Sequence, residues 1–261
     1  MDKLIEIAWK LRMAFERVSK AKGWSDDLYG MCYCASCLLH KIAADNRITT
    51  EIGRGSGHYF ILYDGNIVVD ITSTQFGQPD RVAVMPLEKA EKIGDWWKLL
   101  SKTLFIPQNS MAMKWAEDEF DKISFDMENL IALAYQVRTA FERTAERDSW
   151  NKDLTGLCYH ASKFLHAVAV ERGIDTQVCG GVGHYFVMYG DFVIDVTSTQ
   201  FGQPDRVAVK PLVEAGKIGP WWEKMYISDS PSNLHDKTTN IAKEEFEKIL
   251  AEQQQTEEAR P

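Results

Sequence analysis

The chain has 261 residues, 45% hydrophobic and 26% charged, which is the balance of a folded globular protein. Lys plus Arg total 30 against 38 Asp plus Glu, a net charge of −8, so nucleic-acid and membrane-surface partners are not expected. Charges interrupt the apolar N-terminal stretch and the five cysteines are odd in number, with Cys32, Cys34 and Cys37 crowded together; a membrane span, a secretory signal and a disulfide framework are disfavoured, and a cytoplasmic protein is expected.

The chain opens with a helical pattern, in which Leu4, Ile7, Ala8, Leu11, Phe15 and Val18 recur at three- and four-residue steps. A second helix is predicted from Cys32 to Asp45. Three β-rich segments follow, TTEI, HYFILY and NIVVDIT, separated by Gly or Asp-Gly and read as antiparallel hairpin. Beyond a Gln-Pro-Asp turn come a short extended run, a helix near PLEKAEKIG and a closing amphipathic helix, MKWAEDEFDKI.

The same order then repeats. Met1 aligns with Met127 and Tyr63 with Tyr189, an offset of 126; it drops to 125 after a one-residue deletion and is 126 again at Phe120 and Phe246. The cysteine helix of the second copy runs from Cys158 to Arg172, with Gly173 as its stop signal. So long a period implies complete domains. The expectation is α+β: two tandem repeats, 1–125 and 126–250, packed on each other, with the boundary near 124–127 and a disordered tail at 251–261. Identity between the copies is weak evidence for function, because a recent duplication keeps residues alike whether or not they matter.

Each copy offers Cys, His and Asp in that order: Cys32, His58, Asp70 and Cys158, His184, Asp195. Thiol catalysis needs a thiolate, a base that also serves as acid, and a group that orients the base. A helix start favours the thiolate through unpaired N–H groups and the macrodipole. Strand geometry tests the other two. With Gly190-Asp191 as a two-residue loop, Tyr189 pairs with Phe192, Phe186 with Asp195, and His184 shares a face with Asp195. In the first copy a three-residue loop, Asp64-Gly65-Asn66, pairs Tyr63 with Ile67, and His58 again shares a face with Asp70. A slip within a strand would have separated them.

The segments LCYHAS and GHYFVMYGDFVIDVTSTQF, with their counterparts at 28–77, resemble the papain/transglutaminase-like superfamily, closest to the papain-fold hydrolases and protein deamidases among bacterial toxins and effectors. The resemblance implies two papain/transglutaminase-like domains with Cys32 and Cys158 as nucleophiles, His58 and His184 as general base and acid, and Asp70 and Asp195 as orienting groups. It implies a cysteine hydrolase of the protease or glutamine-deamidase type, acting on a protein or peptide without a cofactor; with an amine as acceptor the same groups make a transglutaminase. Papain-like proteases carry an oxyanion-stabilising Gln six residues before the cysteine, where this chain has Asp26 and Lys152. Gln75 and Gln200 are candidates for that role, or else hold their loop by hydrogen bonds to the backbone. The alternative from another class is a non-enzymatic, bivalent binding or inhibitor protein on the same fold.

Other features point less far. The CxCxxC of Cys32, Cys34 and Cys37 suggests zinc, but Cys158, His160 and Lys163 stand at the matching positions, so no metal site is expected. His40 and His166 read as satisfied core or surface histidines. The glycines before His58 are expected to give substrate close access to the backbone. Trp96-Trp97 and Trp221-Trp222 read as packing for the closing helix, with a substrate groove as the other option; Arg81 and Arg206 either bind a carboxylate or pair with Asp80 and Asp205.

Overall fold

The computed structural model describes residues 1–103, 110–228 and 237–258. The chain is α+β and divides into two compact units, Met1–Phe125 and Asp126–Pro261. In the first, helix α1 (Asp2–Lys22) buries Leu4, Ile7, Ala8, Leu11, Phe15 and Val18 and stops at Gly23, whose φ of 67° is left-handed. Helix α2 (Cys32–Asp45) follows, then strands β1 (Thr50–Arg54), β2 (Tyr59–Tyr63) and β3 (Ile67–Asp70), a 3-10 turn at Ser73–Phe76, and β4 (Ala83–Pro86). Helix α3 (Leu87–Ile93), a 3-10 turn at Asp95–Trp97 and β5 (Ser101–Thr103) complete the order. The sheet is antiparallel, ordered β4-β3-β2-β1-β5.

Side-chain alternation divides that sheet into two faces. On one, Phe60, Leu62, Val68 and Ala83 form a core with Ala90 of α3 and Trp97. The other faces α2, against which Tyr59 meets Tyr33 edge to face at 4.8 Å.

Helix α4 runs without interruption from Met111 to Arg147, where the sequence pattern suggested one helix closing the first repeat and another opening the second. No Gly or Pro lies between Met111 and Arg147, so nothing breaks the hydrogen-bond ladder. The second unit then repeats the pattern: α5 (Cys158–Glu171), β6 (Gln177–Gly181), β7 (His184–Tyr189), β8 (Phe192–Asp195), a 3-10 turn at Ser198–Phe201, β9 (Ala208–Pro211), α6 (Leu212–Ile218), a 3-10 turn at Pro220–Trp222, β10 (Tyr226–Ile227) and α7 (Lys237–Glu258). The sheet order is β10-β6-β7-β8-β9. Residues 251–258, expected in a disordered tail, belong to α7. Their Ala, Glu and Gln are strong helix formers, so a polar stretch extends a helix whose apolar anchors, Ile241, Ala242, Phe246 and Ile249, lie upstream. The remaining tail, 259–261, lies outside the described residues.

A buried arginine ties each sheet to its first helix. Arg12 of α1, 2% exposed, donates to the Ile71 carbonyl at 2.7 Å, to Thr74 Oγ1 at 3.0 Å and to Glu16 at 2.6 Å. Arg138 of α4 does the same for Val196, Thr199 and Glu142. These contacts pin the segment just after Asp70 and Asp195. Arg81 and Arg206 reach the same glutamates, Glu16 and Glu142. Replacing Arg12 with Met leaves the buried Ile71 carbonyl and the half-buried Thr74 hydroxyl without that donor, so it is expected to cost about 3 kcal/mol. Arg81→Met, in a half-exposed pair, should cost under about 1 kcal/mol. Urea unfolding of the two variants measures the difference.

Candidate active site

The loop before each cysteine is tightly wound. Leu28 and Leu154 take left-handed φ values of 61° and 62°, unusual for branched residues, and Gly30 and Gly156 follow at 77° and 84°. Burial of both leucines offsets the strain. The carboxylate of Asp27 accepts from the Tyr29 N–H at 2.9 Å, and that of Asp153 from the Thr155 N–H at 3.0 Å. Cys32 and Cys158 are thereby the first residues of α2 and α5, each 9% exposed. The helix start surrounds them with N–H groups that have no intrahelical acceptor.

Parity of the hairpins sets the second group. Tyr63 pairs with Ile67 across the Asp64-Gly65-Asn66 loop, and Tyr189 with Phe192 across Gly190-Asp191. Both registers bring histidine and aspartate to one face, and the side chains meet. His58 Nε2 lies 2.7 Å from Asp70 Oδ2, and His184 Nε2 lies 2.7 Å from Asp195 Oδ2. All four residues are at most 2% exposed.

Each carboxylate is saturated with donors. Asp70 Oδ1 accepts from the Thr72 N–H at 2.8 Å and hydroxyl at 2.9 Å, while Trp97 Nε1–H donates to Oδ2 at 2.9 Å. Asp195 has the matching set: the Thr197 N–H and hydroxyl, at 2.7 and 3.0 Å, and Trp222 at 2.8 Å. Trp97 and Trp222 therefore hold the acid through their indole N–H groups, a role that a tryptophan pair in sequence does not disclose. Trp96 and Trp221 serve differently: they stack on Phe76 and Phe201 at 4.8 and 4.6 Å, and those rings meet the histidines edge-on at 4.7 Å in both units.

With Nε2 committed to the carboxylate, Nδ1 is the ring nitrogen left free of it, and each imidazole feels its cysteine as well as its aspartate. Burial alone would lower the pKa of these imidazoles. The bonds to aspartate and cysteine outweigh it and carry His58 and His184 up to about 9. Burial raises the Cys158 thiol, but the hydrogen bond from His184, its charge, and the N–H groups of Tyr185 and Tyr159 more than reverse this, and the pKa is lowered. Burial without such partners pushes Cys37 and Cys179 up. In the second unit, one proton shared between sulfur and imidazole is thus drawn to the imidazole.

Gln75 and Gln200 lie beside the same nitrogen. Gln75 Nε2 is 3.4 Å from His58 Nδ1 and donates to the Thr72 carbonyl at 3.0 Å; Gln200 Nε2 is 3.2 Å from His184 Nδ1 and 3.2 Å from Thr197 Oγ1. Their amides hold the loop and lie against the ring nitrogen that the carboxylate leaves free. Among the glycines before His58, Gly55 corrects an expectation: a Cβ there would stand 1.9 Å from the carbonyl oxygen of Trp96, as one on Gly181 would stand 2.1 Å from that of Trp221, so the protein's own tryptophan segment occupies that approach, whereas Gly57 and Gly183 have open space above them. His40 and His166 bond Thr50 and Thr176 at 2.8 and 2.9 Å. Cys34 turns to Ser110, and among the described residues no group of three His, Cys, Asp or Glu is placed to hold a metal ion.

Comparison with protein-family models, curated proteins and solved structures finds nothing that matches this chain. Among the described residues no helix is long and apolar enough to cross a membrane.

The arrangement has a chemical signature. At pH 6.5, iodoacetamide is expected to alkylate Cys158 at least about tenfold faster than Cys179, read by peptide mass spectrometry after short exposure. Asp195→Asn removes the anion that raises the imidazole, and Cys158 labelling at that pH should then slow by about tenfold or more.

Proposed function

We propose that each unit is a cysteine-dependent acyl-transfer hydrolase of the papain/transglutaminase-like kind, acting on an amide bond of a protein or peptide. The observation that carries this reading is the pairing in both units of a helix-start cysteine with an imidazole whose other nitrogen is held at 2.7 Å by a buried, fully hydrogen-bonded carboxylate. A structural histidine needs no helix-start cysteine beside it.

The chemistry follows from the proton inventory. The thiolate attacks the amide carbon, forming a C–S bond and placing the electron pair on oxygen. Donors for that oxyanion are the cysteine's own N–H at the helix start and the amide of Gln75 or Gln200. As the tetrahedral species collapses, the imidazolium gives its Nδ1 proton to the departing nitrogen and the C–N bond breaks. The neutral imidazole then takes a proton from water, whose oxygen attacks the thioester. The C–S bond breaks, a carboxylic acid leaves, and the imidazolium–thiolate pair is restored.

The test is covalent capture with an electrophilic peptide amide analogue, read by intact mass. The wild-type chain should gain two adducts, and Cys32→Ala and Cys158→Ala one each, with circular dichroism unchanged. Failure of either cysteine to react faster than Cys179 would refute the reading. The pH profile has a direction too. Because histidine is raised from an ordinary 6.5 to about 9, the proton donor is resident at neutral pH and is lost as pH rises through about 9. Hydrolysis should fall over that limb, and in Asp70→Asn, followed in the Cys158→Ala background, the limb should move down toward 6.5.

A further inference from the structure

The two sites share their reacting groups but not their rims, and the difference is a reciprocal exchange of size and charge. Tyr59 and Tyr185 immediately follow the histidines, and the Tyr185 N–H reaches the Cys158 sulfur. Directly across the sheet from Tyr59 stands Arg54 of β1, and opposite Arg54 on β5 is Ser101. Directly across from Tyr185 stands Gly180 of β6, and opposite Gly180 on β10 is Tyr226. Opposed residues in an antiparallel sheet project from the same face about 5 Å apart, so each trio forms one row beside its nucleophile.

In the second unit the row is filled by aromatic rings. Tyr226 donates to the Tyr185 hydroxyl at 3.0 Å, and its ring lies so low that a Cβ on Gly180 would stand 2.2 Å from it. Glycine is what seats this tyrosine. In the first unit the small Ser101 leaves room for Arg54, which is exposed and makes no ion pair or side-chain hydrogen bond among the described residues. The turn before histidine changes in the same sense: exposed Ser56 in the first unit, exposed Val182 in the second.

We infer that Arg54 and Tyr226 set different substrate preferences: the Cys32 site takes acyl donors with a carboxylate side chain next to the scissile carbonyl, and the Cys158 site takes donors with an aromatic or aliphatic one. This rests on the catalytic reading above and deepens it. An exposed guanidinium offers a carboxylate a bidentate, charge-assisted partner. The Tyr185–Tyr226 pair with Val182 offers apolar surface and no cation.

Two peptidyl vinyl sulfones test it, identical except for Glu or Phe at the two positions next to the warhead. Both cysteines sit in one molecule, so each is the other's control, and adduct on each is quantified after digestion. The Glu probe is expected to favour Cys32 over Cys158 by up to about fivefold, the range of an exposed ion pair, and less at high salt. The Phe probe should reverse the order. Arg54→Gln, an exposed substitution without consequence for folding, should abolish the Glu preference at Cys32 and leave Cys158 labelling unchanged. The double exchange Arg54→Gly with Ser101→Tyr should confer a Phe preference on Cys32. Equal Glu-to-Phe ratios at the two cysteines, or a ratio untouched by Arg54→Gln, would overturn this inference while leaving the catalytic reading standing. No adduct with either probe on either cysteine would overturn both.

Discussion

A carboxylate taken out of water survives only if its oxygens are occupied, and in each unit the aspartate at the end of the third strand has four donors around it. One of those donors is the imidazole. The other three, the threonine N–H and hydroxyl and the indole N–H, fix where the oxygens point and thereby where the ring lies. Much of the surrounding fold serves that placement. The buried arginine of the first helix grips the segment one to four residues beyond the acid, and the short helix and 3-10 turn on one face of the sheet deliver the tryptophan.

The same arrangement explains how a histidine at most 1% exposed can hold a positive charge. Burial disfavours the imidazolium, and the paired aspartate on one nitrogen and the cysteine on the other outweigh it. Sulfur gains what the ring gains. The cysteine of the second unit is mostly enclosed, yet its thiol is lowered, whereas Cys179, enclosed without an imidazole, is raised. Enclosure alone therefore does not make a thiol inert.

Much of this was legible in the residues. The hairpin loops differ in length between the copies, three residues against two, and only pairings that kept histidine and aspartate on one face absorbed the difference in the loop. Periodicity in the first helix named its buried positions. What was not legible depended on partners distant in sequence. Arg12 meets its carbonyl 59 residues away and Trp97 its carboxylate 27 residues away, and neither is marked by spacing or composition. Gly55 was misread for the same reason: the atom filling the space above it belongs to Trp96. At the chain's middle and end, helix propensity unopposed by Gly or Pro extended α4 and α7 past the limits that apolar content suggested.

The protonation state of the buried histidines is the quantity on which everything else turns. Titration of the imidazole carbons and nitrogens by NMR, with His58 and His184 assigned by substitution, measures it directly. Both rings should remain imidazolium at pH 7.5 and lose their proton near pH 9. Rings that are neutral at pH 7.5, titrating at or below the ordinary 6.5, would contradict the charge-paired thiol and imidazole.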